Sequence, residues 1–197
     1  SVPRYSWGHD FAHGGVTDIA KAKTAVLGAM DIPAHWAAEF QGWSQESNVS
    51  CPFAEERHER GKDSRPSLSL SPDGKAFCHS CGYKATNPID VWADTRKVSF
   101  QQALKELYGQ YIEPLIPDSI YLSSAKSLQR NPFILSRLES LRGITNNTVL
   151  KYHLGWDGRL TIPVFNEFGW CVNIRRYDLL GKFTEKGSAK VVSWKKG

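Results

Sequence analysis

Cys51, Cys78 and Cys81 stand in a C-x26-C-x2-C arrangement with His58 between the first two, and no other feature constrains this chain as strongly. A Cys-x2-Cys pair closes a loop of the size that wraps one tetrahedral ion, and thiolate with imidazole is the donor set that zinc favours. Only four residues of 197 are cysteine. In a reducing compartment their spacing favours metal over cross-links. The residues around the pair explain how the ligands meet. Ser67-Leu68-Ser69-Leu70 alternates as a strand does, Pro72-Asp73-Gly74 is a turn, and Lys75-Ala76-Phe77 leads back into Cys78-His79-Ser80-Cys81-Gly82. That is a β-hairpin carrying one ligand pair toward another, a zinc ribbon. Structural zinc contributes on the order of 10 kcal/mol to folding, enough to hold a ribbon whose own apolar core is small. Three or four protein ligands leave no open position for water and no general base beside it, so the metal reads as structural rather than catalytic. For the fourth ligand, His58 is favoured over His79, which would have to bend back against its own knuckle. Cys171 lies within an apolar strand pattern and reads as a core thiol.

The flanking zones define an α+β chain: a zinc-ribbon sheet with packed helices, then a small basic α+β subdomain. Residues 1–44 form an aromatic-rich helical extension in which Thr17 can cap one helix and Pro33 starts a second turn through Trp36 and Phe40. His9 and His13 flank Phe11 near Gly14 and Gly15 and read as surface or core side chains. The ribbon domain covers 45–110. Its two helices open at Asn87-Pro88 and at Ser99 with Gln102, the second ending at Gly109. Residues 111–123, with Pro114 and Pro117, read as a linker. In 124–197, Asn131-Pro132 opens a helix that Gly143 stops, Thr145 caps another, and two strand-like runs around Ile162 and Val172 form a hairpin presenting Arg175 and Arg176. The charge is uneven. Residues 124–197 hold 13 Lys and Arg against 5 Asp and Glu, more than the whole +5 excess. A concentrated positive field of this kind suits a polyanion such as nucleic acid, because each phosphate neutralised releases counterions. No run of apolar residues is long enough for a membrane span and no charged-then-apolar leader opens the chain, so no membrane partner is expected and the cytoplasm is the expected location.

The motif order CPF, a histidine, RPSLSL, FCHSCG, an IDVW helix and a SFQQALKELYG helix resembles the zinc-binding domain of DnaG-type primases of bacteria and their phages. LRGITNNTVLKYHLGWDGRLTIPVFNEFGWCVNIRR is similar to the start of the primase RNA-polymerase domain, so the resemblance covers about residues 48–197. The family's zinc histidine usually lies three residues after the first cysteine, where this chain has Ala54; a ligand at His58 makes 59–64 an insertion. The resemblance implies single-stranded DNA template as partner, contacted by residues around Arg65, Ser67, Lys75 and Lys84. It also places template- and nucleotide-contacting basics near Arg175, Arg176 and Lys190, where a guanidinium grips phosphate with two prongs and a lysine acts as a point charge. Phe77 and Tyr83 are candidates for stacking on bases, though Phe77 reads more readily as a core residue. Primer synthesis in this family is a magnesium-assisted phosphoryl transfer needing clustered carboxylates. Residues 124–197 hold no E-x-E or D-x-D cluster, so the Toprim acids and their Mg2+ are expected beyond Gly197, and these residues alone are expected to bind nucleic acid without making primers. The parent would be a nucleotidyltransferase of a bacterial cell or phage-infected host, using nucleoside triphosphates, with a replicative helicase as a further expected partner. The alternative is a non-catalytic zinc-ribbon module that binds nucleic acid or recruits a partner.

Overall fold

The structure is a computed structural model, and it describes residues 16–179 and 191–193. The described chain divides between Ile112 and Glu113 into two compact units, Ile19–Ile112 and Glu113 onward. Residues 19–44 of the expected extension therefore share a unit with the ribbon.

In the first unit, α1 (Val16–Ala29) and α2 (Ile32–Glu39) precede a single turn, α3 (Ala54–Arg57). Three short strands follow, β1 (Leu68–Leu70), β2 (Ala76–Cys78) and β3 (Lys84–Ala85), and then α4 (Pro88–Arg96) and α5 (Phe100–Tyr111). Local chemistry sets the helix starts. The Asp31 carboxylate accepts from Ala34 N at 3.1 Å, with Pro33 in the first turn, the Asn87 side chain accepts from Ile89 N and Asp90 N, and the Ser99 hydroxyl accepts from Gln102 N. Helix α1 already runs through Thr17, the residue expected to stand at its start. The strands form an antiparallel sheet in the order β1-β2-β3. Gly74 in the β1–β2 turn has φ +93°, and a Cβ there would lie 2.8 Å from Pro88 Cδ, so the turn can press onto the start of α4 only as glycine.

The extension seats on the ribbon through two indoles. Trp36 Nε1 donates to the Ser71 carbonyl at 2.9 Å and Trp43 Nε1 to the Leu70 carbonyl at 3.1 Å. Trp36 is fully buried in one core with Val49, Phe53, Leu68, Leu70 and Val91. Buried His35 stacks on Trp92 and meets the Tyr111 hydroxyl at 2.7 Å. That contact explains why α5 continues past Gly109: packing of Tyr111 offsets the roughly 1 kcal/mol that a helical glycine costs.

The second unit begins with α6 (Asp118–Gln129), α7 (Pro132–Arg142) and α8 (Asn146–Lys151) and ends in a meander of β4 (Gly155–Trp156), β5 (Leu160–Phe165), β6 (Cys171–Tyr177) and β7 (Val191–Ser193). Helix α6 replaces the second half of the expected linker. A proline blocks the helix before it rather than after it, and Pro117 stands just ahead of the first turn. Ala125 and Leu128 of α6 are buried, while Ile120 and Tyr121 pack on Ile116, Cys171 and Ile174. A Cβ at Gly155 would lie 2.6 Å from Ser124, so this glycine lets α6 lie against β4. Cys171 is buried, as its strand pattern implies. Asn131 and Thr145 cap α7 and α8, and Gly143 ends α7 with φ +65°. Among the described residues no helix is long and apolar enough to cross a membrane.

Candidate metal centre

Strand β2 and its knuckle deliver Cys78 and Cys81, while the loop after Val49 delivers Cys51. Val49 bridges Leu68 of β1 through paired backbone hydrogen bonds of 2.9 and 3.0 Å, which hangs the Cys51 loop from the sheet edge. The single turn α3 then carries His58 at its C-terminal cap. Phe53 and Tyr83 rings lie 4.3 Å apart under the Arg57 guanidinium, and the Tyr83 hydroxyl donates to Asp94 of α4 at 2.8 Å. Glu56 pairs with Lys97, the left-handed residue that closes α4. The two loops are thus braced on one helix.

The ligand atoms of Cys51, His58, Cys78 and Cys81 all lie within 4.8 Å of one another. Cys51 Sγ and Cys81 Sγ are 4.0 Å apart, and His58 Nε2 is 3.4 Å from Cys78 Sγ. A tetrahedral zinc would set sulfurs about 3.8 Å apart and nitrogen about 3.5 Å from sulfur, from bonds of about 2.3 and 2.0 Å. The donor set and its spacing fit that ion. His79 is exposed and turns its ring edge-on to Phe77 at 4.9 Å, away from the sulfurs, so His58 is the imidazole of the cluster. Among the described residues this is the one grouping of three or more such side chains.

The thiols are electrostatically unequal. Burial raises Cys78, but hydrogen bonding with the Ser67 hydroxyl and the Cys81 and Ser80 amides more than reverses this, leaving it at about 6. Burial pushes Cys51 up to about 12, against a backbone hydrogen bond and with the neighbouring Cys78 adding to the rise. A bound cation would favour the thiolate form of each ligand and release the proton of any thiol it meets.

Sequence reasoning missed Asp63. Its Oδ2 accepts from Cys51 N at 2.7 Å, Ser67 N at 3.3 Å and the Ser67 hydroxyl at 3.0 Å, and its Oδ1 lies 3.7 Å from His58 Nδ1. Nothing in the one-dimensional pattern marks it, because it reaches the site only through folding. Ser67 is buried at 6% exposure, with its hydroxyl also 3.3 Å from Cys78 Sγ. Its place is beneath the surface, serving Asp63 and the thiol, rather than at a strand contact.

The other expected binding residues are scattered. Arg65 is exposed; Lys75 is exposed and paired with Asp73 at 2.5 Å. Strand pairing sets Ser69, Phe77 and Lys84 in one cross-strand row, with Phe77 36% exposed and Lys84 Nζ 5.5 Å from its ring centre. Tyr83 is buried instead, and burial with the Asp94 contact raises its hydroxyl pKa, so it is no base-stacking group. Arg175 and Arg176 are neighbours on β6 and point to opposite faces, so one surface cannot present both. Arg175 is exposed opposite Ile162. Arg176 binds Asp157 at 2.7 Å in an open cleft of about 340 Å³ with Gly158 and Arg159, and its Nε is buried with no hydrogen-bond partner among the described residues. Arg159 is a further basic residue that the sequence pattern left unremarked. Lys190 lies outside the described residues, as do His9 and His13.

No protein-family model and no curated protein matches the chain. Among solved structures it is similar to the crystal structure of the Aquifex aeolicus primase (zinc binding and RNA polymerase domains), at 18% identity and a TM-score of 0.38. The match covers 89% of this chain and 54% of that one, so this chain spans about half the length of the structure it matches.

Proposed function

We propose that this chain is the template-handling portion of a DnaG-type primase, in which a zinc-stiffened ribbon and a basic α+β unit hold single-stranded DNA for primer synthesis. The observation that carries the reading is the convergence of Cys51, His58, Cys78 and Cys81 in the motif order that resembles the family. On the sheet above them, period-2 alternation buries Ala76 and Cys78 and turns Phe77 outward beside Lys84 and His79. An exposed ring flanked by a cation is a stacking platform for an unpaired base with a phosphate contact next to it. In the basic unit, Arg175 would track the strand backbone, and Arg176 with Arg159 would take a phosphate group of template or nucleotide in the Asp157–Gly158 cleft. Phosphoryl transfer is assigned to carboxylates and Mg2+ outside these residues, leaving 1–197 a binding part.

Fluorescence anisotropy with a single-stranded oligonucleotide tests this reading. Phe77→Ala is expected to weaken binding by about 1–3 kcal/mol, the worth of one stacked base, with little loss of stability because the ring is already exposed. Lys84→Ala should weaken binding across sequences and lower the salt slope by about one counterion. Unchanged affinity in both variants would remove the sheet face from the reading.

A further inference from the structure

The 59–64 segment, an insertion if His58 is the ligand, carries at Asp63 a carboxylate placed beside three parts of the cluster together. Asp63 Oδ2 accepts from Cys51 N at 2.7 Å, which fixes the first ligand's backbone, and from Ser67 N at 3.3 Å, which ties that loop to the start of β1. Oδ1 lies beside His58 Nδ1 at 3.7 Å, longer than a formed hydrogen bond, while Nε2 of the same ring faces Cys78 Sγ at 3.4 Å. Both partners are enclosed, with 6% and 7% of their side-chain surfaces exposed. A neutral imidazole carries its proton on one nitrogen only, and the group next to the other ring nitrogen decides which. A carboxylate accepts and never donates when ionised, so beside Nδ1 it favours the proton there and leaves the Nε2 lone pair turned toward the sulfurs.

We infer that Asp63 is the positioning residue of the metal centre: it selects the Nε2-ligating form of His58 and clamps the Cys51 loop. The displaced histidine and its orienting carboxylate thereby arrive together on one segment. This rests on the zinc-ribbon reading, and its test separates the two.

Zinc affinity is to be measured on the full chain by competition with a chromophoric chelator, for wild type, Asp63→Ala and Asp63→Asn. Loss of the orienting carboxylate is expected to cost about 10–100-fold in affinity in Asp63→Ala. Asn keeps an oxygen for Cys51 N and Ser67 N but then turns its NH2 to Nδ1, which favours the wrong tautomer, so it should lose most of the same factor. Wild-type affinity in Asp63→Asn would mean that Asp63 merely holds the loop, and would overturn the inference while leaving the ribbon intact. A wild-type chain that binds no zinc would overturn both. Should either variant fail to fold, the histidine ring signals of the zinc-loaded wild type decide alone. Zinc on Nε2 with a proton on Nδ1 of His58 supports the assignment, and zinc on Nδ1 refutes it.

Discussion

Two histidines compete for one position in the sequence, and side-chain direction separates them. His58 ends a helical turn that is braced on α4, so its ring is held toward the thiols; His79 lies on the knuckle with its ring against Phe77. His58→Ala should therefore lose the zinc or release it far faster to a chelator, whereas His79→Ala should retain one zinc per chain with near wild-type release kinetics. Equal behaviour of the two variants would contradict the ligand assignment. Period-2 alternation could have placed Phe77 without a structure, since a ligand at Cys78 faces inward and its neighbour must face out. The same rule separates Arg175 from Arg176. Asp63 was not legible, because its partners, Cys51 at 12 residues upstream among them, are brought to it only by the fold.

Among elements, the caps and turns were the most legible features, because each rests on chemistry within four residues. Asn87-Pro88, Ser99, Asn131-Pro132, Gly143 and Thr145 all stand at helix ends. What escaped were elements fixed by distant packing: α6 behind its prolines, and the last turn of α5, drawn on by His35 from 76 residues away. Gly74→Ala tests one such long-range fit. The left-handed φ and the contact with Pro88 should together destabilise the first unit by about 1–3 kcal/mol, visible as a lower denaturant midpoint with an unchanged slope. His35 tests another. Burial lowers its pKa below 6.5, with Glu39 opposing and Arg96 assisting, so the folded state disfavours its proton. The unfolded chain then binds more protons below pH 6.5, and the stability that neutral His35 contributes is present above that pH and lost as pH falls through the depressed folded value. Thermal stability of the first unit should drop over that range in wild type and less steeply in His35→Gln. Parallel pH profiles would show that the ring's burial is not what titrates.

For the molecule as a whole, the two units depend on the metal differently. The ribbon core is a layer of short strands whose loops meet at Cys51, Cys78 and Cys81, while the second unit packs Leu128, Ile134, Leu138, Val149 and Leu160 around a four-stranded meander with no ligand among them. On chelation, amide exchange protection should collapse across Ile19–Ile112 and persist across the β5–β6 pairing of the second unit. The fold class and the metal cluster were legible in the sequence because spacing and alternation are local. The seating of the aromatic extension on the ribbon was not, since it depends on two indoles meeting carbonyls of a distant turn. The most direct measurement is metal content by mass spectrometry on folded protein prepared without chelator. One zinc per chain, lost on replacing Cys78 and Cys81 together by serine, is the expected result. A folded wild-type chain containing no zinc would contradict the ribbon and everything built on it.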